Sequence, residues 1–395
     1  MNLFKVYSIL DIEIIKGRGI YLYDKSNKKY MDFYGGHAVI SIGHSHPKYV
    51  KNLKKQIEKI SFSSNSIKIP EQEKLANLLL EISGYNDYKV FLCNSGAEAN
   101  ENAMKIASFH NKKKKIIAFK KSFHGRTSGA MAITDNYKII SNFNLQHEVK
   151  FFTYKDLFRL EKELKKQETC AVISEGIQGI GGIIDPGIDF FKNLYFLCQK
   201  YNTLLILDEI QSGYGRTGLF FAHQNSGIKP DIITIAKGMG NGFPIGGVII
   251  HPKFKPFNGM LGTTFGGNYL ACSSGISVLN IIKNEGLIYN AKKMGKRLIN
   301  YLKEIDEIKE IRGRGLMLGL KFKFKIKKLI NILIKNEKIF VGSSLNKKII
   351  RLFPPLTIEE KHIKTFILKL KKALYYLKND KYSAYSFGYE KSSAG

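Results

Sequence analysis

At 395 residues, with 44% hydrophobic and 24% charged side chains, the chain is long enough for two or three domains around a large buried core. Its 63 Lys+Arg against 33 Asp+Glu give a net charge of +30, which raises nucleic acid or an anionic surface as partners. The charge is scattered in short runs such as 112–115 and 321–328, however, and that scatter argues against a dedicated nucleic-acid module. The four cysteines (Cys93, Cys170, Cys198, Cys272) are far apart with no metal or redox spacing, so reduced core thiols and no metal are expected. No signal peptide is evident and no apolar run is long enough for a bilayer. A cytoplasmic protein without membrane or nucleic-acid partners is the expectation.

Residues 1–45 read as two short strands with glycine-rich connections, a segment packing with a small C-terminal domain. Helical patterning follows at about 47–60 and 71–83. Strands then alternate with helices. Apolar runs at 88–93, 115–119, 149–154, 170–175, 204–207, 232–236 and 246–250 are separated by helical patterns at 97–110, 156–167 and 188–200. Seven such runs predict an α/β fold, a mainly parallel sheet with helices on both faces, over 46–255. From about 256 to 378 the pattern becomes helices (267–284, 286–305, 326–337, 359–377) with short strands, a smaller α+β domain. The 379–395 stretch, rich in Tyr, Ser and Gly, reads as a loosely attached tail.

Two apolar runs end on one ionisable residue each, Leu204-Leu-Ile-Leu-Asp208 and Ile232-Ile-Thr-Ile-Ala-Lys237. Carboxyl ends of strands in an open parallel sheet line the ligand crevice, so Asp208 and Lys237 are candidates for facing one ligand. A buried ion pair is the equally weighted alternative. Between a strand and a helix, Asn94-Ser-Gly-Ala97 offers backbone N–H groups at a helix N-terminus, where a phosphate is favoured; simple N-capping explains the same residues. Phe123-His-Gly-Arg126 places an aromatic that can stack on a flat heterocycle beside an arginine that can clamp a carboxylate. A packed Phe and a solvated Arg are the plainer reading.

One cofactor joins these pieces. Pyridoxal 5′-phosphate needs a lysine for its aldehyde, an acid at its ring nitrogen, a phosphate cradle and an aromatic over its face. Asp208 and Lys237 lie about one βαβ unit apart, so adjacent strand ends are expected.

With these motifs together, the chain resembles the class III aminotransferases of the fold-type I pyridoxal-phosphate enzymes, most closely the acetylornithine/succinylornithine aminotransferases. The resemblance covers about residues 10–375 and rests on Asn94-Ser-Gly-Ala-Glu-Ala-Asn-Glu101, Phe123-His-Gly-Arg-Thr127, Asp208-Glu-Ile-Gln-Ser-Gly-Tyr-Gly-Arg-Thr-Gly218, Ala236-Lys-Gly-Met-Gly-Asn-Gly-Phe-Pro244 and Gly262-Thr-Thr-Phe-Gly-Gly-Asn268. It implies that Lys237 bonds the cofactor, Asp208 pairs with its ring nitrogen and Gln211 lies near its phenolic oxygen. Phe123 would stack on the ring, and Ser95, Gly96 and Ala97 would hold the phosphate. Thr264 would reach the phosphate in the neighbouring subunit of a homodimer. Arg126 would bind the substrate carboxylate far from the reacting amine, and Arg351 the α-carboxylate of glutamate or 2-oxoglutarate. The implied reaction moves the δ-amine of an N-acylornithine to 2-oxoglutarate, in arginine biosynthesis. Other ω-aminotransferases, acting on ornithine or 4-aminobutyrate, and a non-enzymatic polyanion binder are the rivals.

The family usually reads Glu-Pro-[Ile/Val]-Gln-Gly-Glu where this chain has Glu175-Gly-Ile-Gln-Gly-Ile180. In relatives the second Glu can pair with the arginine matching Arg351; Ile180 cannot.

Overall fold

The computed structural model describes residues 2–379; the expected tail therefore lies almost wholly outside the described residues. A seven-stranded sheet forms the centre, in the order Lys89–Cys93, Gly246–Ile250, Ile232–Ile235, Leu204–Asp208, Thr169–Glu175, Lys115–Phe119, Val149–Phe152. These are the seven apolar runs, assembled as a fold-type I sheet. Every pairing is parallel except those of Gly246–Ile250, which runs antiparallel to both neighbours.

The runs are continuously apolar because both faces of the sheet are covered. Successive side chains point to opposite faces. Ile173 and Ile206 pack with Ala99, Ala103 and Ile106 of the Gly96–Asn111 helix. Val172, Leu205 and Leu207 pack on the other side with Leu160 and Leu164 of Leu157–Leu164 and with Phe191 and Leu194 of Ile188–Lys200. Each such fully buried aliphatic side chain contributes roughly 1.5–3 kcal/mol relative to exposure.

Around this centre sit two four-stranded sheets. Ile308–Arg314, Met317–Phe322, Ile349–Leu352 and Gly342–Ser343 form one, flanked by Leu287–Leu302, Lys327–Lys335 and Glu360–Lys378. The other joins Ile14–Arg18, Tyr21–Asp24 and Lys29–Asp32 to Ile339–Phe340, so Lys29–Asp32 pairs with a strand about 300 residues further along the chain. Ile14–Arg18 is a strand beyond the two expected there. It is almost wholly exposed, so it lacks the in–out alternation by which a half-buried strand is recognised.

Candidate active site

The carboxyl ends of the parallel strands open into a cavity of about 1050 Å³. Parity places its acids. With Ile206 on the face covered by the Gly96–Asn111 helix, Asp208 falls on that face too, and its carboxylate meets the helix. Its Oδ2 accepts from Asn100 Nδ2 (2.9 Å) and His124 Nδ1 (2.7 Å), and its Oδ1 from Ile210 N (3.0 Å). Thr234 donates to Asn100 Oδ1 (2.8 Å), which fixes the amide so that its NH₂ faces Asp208. Asp208 is 4% exposed, and its carboxylate is fixed in place by these three donors.

Lys237 follows the neighbouring strand, which pairs with Leu204–Asp208 in parallel with Asp208 opposite Thr234. Its backbone is left-handed (φ 47°), a strain that non-glycine residues carry chiefly at functional sites. The ammonium makes no hydrogen bond or ion pair with any described residue. Burial lowers its pKa; Asp208 and Glu175 oppose that and Arg351 adds to it. The direct Asp208–Lys237 ion pair, the alternative weighed from sequence, is therefore not what the chain builds. Asp208 is engaged on the helix side, and Lys237 is left free in the cavity.

The Gly96–Asn111 helix points its N-terminus into the same cavity. Ser95 does cap it, accepting from Glu98 N at 3.2 Å. The N–H groups of Gly96 and Ala97 have no helix carbonyl to reach, and they remain for an anion. A Cβ at Gly96 would stand 2.8 Å from Ile210 Cδ1, so glycine alone lets this turn sit against the 208–212 segment. Phe123, Arg126, Gln211 and Arg351 complete the lining with Ser95, Gly96, Ala97, Asp208 and Lys237. Gln211 donates to the His37 carbonyl at 3.0 Å. Thr264 does not line this cavity; it is exposed on the loop after Leu261.

Arg351 is 2% exposed on the Ile349–Leu352 strand. Its Nε donates to the Ser343 carbonyl, its guanidinium interacts with the Tyr34 hydroxyl and lies 5.4 Å from the centre of the Phe353 ring. No carboxylate pairs with it among the described residues. Ile180 lines the cavity where the family pattern has an acid.

The arrangement fits pyridoxal phosphate on this chain's own geometry. A free amine, a fixed carboxylate, an N–H cradle that only glycine admits and an aromatic all line one space of sufficient size. A family model described as class-III aminotransferase matches residues 5–374. The chain belongs to the class-III aminotransferases. These are pyridoxal-phosphate enzymes, so this chain is an aminotransferase acting on small-molecule amines and oxo acids. It is 37% identical to an acetylornithine aminotransferase of Bacillus cereus, over 94% of this chain and 97% of that protein. It is 38% identical to that of Methanocaldococcus jannaschii, over 92% and 93%. Among solved structures, the ornithine aminotransferase of Toxoplasma gondii superposes with a TM-score of 0.90 at 29% identity, covering 96% of this chain and 94% of that one.

The sequence reading gave no role to Asn100, His124, Glu175, Tyr34 or His37. Glu175 carried a usable signal, being an acid that ends an apolar run just as Asp208 does. Asn100 and His124 act through Asp208, 108 and 84 residues away in sequence. No local pattern announces such contacts.

Proposed function

We propose that this aminotransferase moves the δ-amine of N-acetylornithine, or of N-succinylornithine, to 2-oxoglutarate, giving the semialdehyde and glutamate, a reaction whose reverse is a step of arginine biosynthesis. The observation that carries it is the identity to acetylornithine aminotransferases along nearly the whole of both chains, joined to a cavity with two arginines free for carboxylates. Pyridoxal phosphate supplies an aldehyde carbon for the amine and a ring that takes up the electron pair released at the amine-bearing carbon.

The chain's residues do the rest. Asp208, fixed by Asn100, His124 and the Ile210 N–H, would pair with the protonated ring nitrogen. Lys237, whose pKa burial lowers, is available to take a proton from the amine-bearing carbon and return one. Phe123 would cover the ring, Gln211 would meet its phenolic oxygen, and Ser95, Gly96 and Ala97 would receive the phosphate. Arg126, exposed at the mouth, binds the carboxylate remote from the reacting amine. Arg351, buried and without an acid, binds the α-carboxylate of glutamate or 2-oxoglutarate.

Thr264, exposed and off this cavity, suits a role at the neighbour's phosphate in a homodimer with shared sites. Four buried free cysteines suit the cytoplasm, and no described helix is long and apolar enough to cross a membrane. Free ornithine is the second reading, favoured by the likeness to the Toxoplasma gondii enzyme. Comparing kcat/KM for acetylornithine, succinylornithine and ornithine separates the two. An N-acyl substrate should win by at least about tenfold, roughly 1.4 kcal/mol of transition-state binding; equal values for all three would overturn the assignment.

A further inference from the structure

Glu175 takes no part in the reaction as derived above, yet it stands beside Asp208. The Thr169–Glu175 and Leu204–Asp208 strands run parallel in a register that sets Glu175 against Asp208. By parity with Ile173 both carboxylates fall on the same face of the sheet, and both line the cavity. Asp208 is served by a His, an Asn and a backbone N–H. Glu175 has no cation within ion-pairing distance among the described residues and is 6% exposed.

Its two oxygens are committed to two loops. Oε1 accepts from Phe123 N (3.1 Å), and Oε2 from Gly179 N (2.8 Å). Phe123 carries the aromatic on one side of the cavity. Gly179 precedes Ile180, which lines the side that Arg351 shares. One carboxylate thus ties together two segments far apart in sequence.

We propose that Glu175 is a proton-linked positioning residue: ionised, it holds Phe123 and the 176–180 loop in place for the cofactor, and protonated, it releases one of them. A carboxylate accepts strongly at both oxygens, whereas a carboxylic acid turns one of them into an O–H donor, a much poorer acceptor for an N–H. The groups acting on it are Asp208 on the adjoining strand, His124 beside Phe123, Lys237 and Arg351 across the cavity, and Tyr154 beneath the sheet. Burial and Asp208 push the Glu175 pKa up to about 7, while His124 and the two N–H groups pull it down. The change of state therefore falls in the working range.

The inference rests on the pyridoxal-phosphate reading of the cavity, and its test is separable from that reading. The dissociation constant of pyridoxal phosphate is measured for the wild type and Glu175→Gln at pH 5.5 and pH 8.5. At the lower pH both side chains are neutral, and the constants should agree within about twofold. At the higher pH the variant should bind about tenfold more weakly, because only the ionised wild type accepts from both loops. The same ratio at both pH values would reduce Glu175 to an ordinary structural residue and overturn the proposal.

Melting of the cofactor-free proteins supplies a readout that needs no cofactor at all. A carboxyl whose folded pKa is raised favours folding less as pH rises from its unfolded to its folded value. Glu175→Gln should therefore gain several degrees on the wild type between pH 5.5 and pH 8.5. A constant difference would count against the proposal. A protein that never binds pyridoxal phosphate would refute the aminotransferase chemistry and leave the melting comparison intact.

Discussion

Two buried glutamates at opposite ends of the central sheet show how this chain separates structure from function. Glu163, 4% exposed, lies on the Leu157–Leu164 helix near the start of the Lys115–Phe119 strand. It meets Lys150 at 2.8 Å, Lys166 at 3.0 Å and Lys115 at 3.2 Å, and the Lys150 bond is the main cause that holds its pKa at about 2. Glu175, 6% exposed, ends its strand at the cavity with no cation partner, and burial pushes its pKa up to about 7. Both are nearly closed to solvent, but Glu175 lies deeper and lacks cations among the described residues, so burial dominates there while three lysines dominate at Glu163. At the amino end of the sheet the chain neutralises its own charges. At the carboxyl end Lys237, Arg351 and Glu175 are left without counter-ions among the described residues, an arrangement that costs stability and makes sense where ligands bring the missing charges.

The strongest way to break that contrast is Lys237→Ala. If Lys237 is left free for the cofactor, the variant loses the visible absorbance of the lysine-bound cofactor, and kcat falls by about 10⁴-fold or more. A variant that melts earlier but still turns over would make Lys237 one more structural charge.

Arg351 offers a graded version. Arg351→Ala should raise KM for 2-oxoglutarate about 100-fold, close to 3 kcal/mol for losing a buried charge-assisted contact, with a smaller effect on the N-acylornithine half-reaction. Ile180→Glu asks what happens when the cavity is neutralised as the other end of the sheet is. The new carboxylate can occupy the guanidinium in place of the substrate, so KM for 2-oxoglutarate should rise about tenfold. An unchanged KM in steady-state assays would mean that position 180 does not reach Arg351.

The same contrast explains what was legible from sequence. The seven central strands were, because covering both faces demands an apolar run whatever its partners. That Gly246–Ile250 runs antiparallel was not, since direction leaves no mark on such a run. At the site, Asp208 and Lys237 stood out as charges ending apolar runs, and adjacent strand ends followed from their spacing. Glu175 obeys the same rule but was overshadowed by the motif around it. Tyr34 and His37 lie on a strained turn, with His37 at φ 65°; His37 meets Tyr34, and Tyr34 meets Arg351 only through the fold. The pairing of Glu163 was equally hidden, since lysines are common throughout this chain and only tertiary contact selects three of them.

Glu163→Gln tests the paired end and should give the smallest effect. A carboxyl whose folded pKa is depressed stabilises the fold above its unfolded value, and that contribution is lost as pH falls through the folded one. The stabilisation by Glu163 is therefore complete above about pH 4.5 and gone near pH 2. Lys150 and Lys166 are about half exposed, so water screens much of the attraction. Lys115 keeps Glu148 and Glu168 as partners in the variant, so no cation is stranded. The cost at pH 7 should then be about 1 kcal/mol, read as a lower denaturant midpoint that converges on the wild type as the pH approaches 2, with kcat unchanged. A loss of turnover would mean that the two ends of the sheet are coupled, and the division drawn between them would fail.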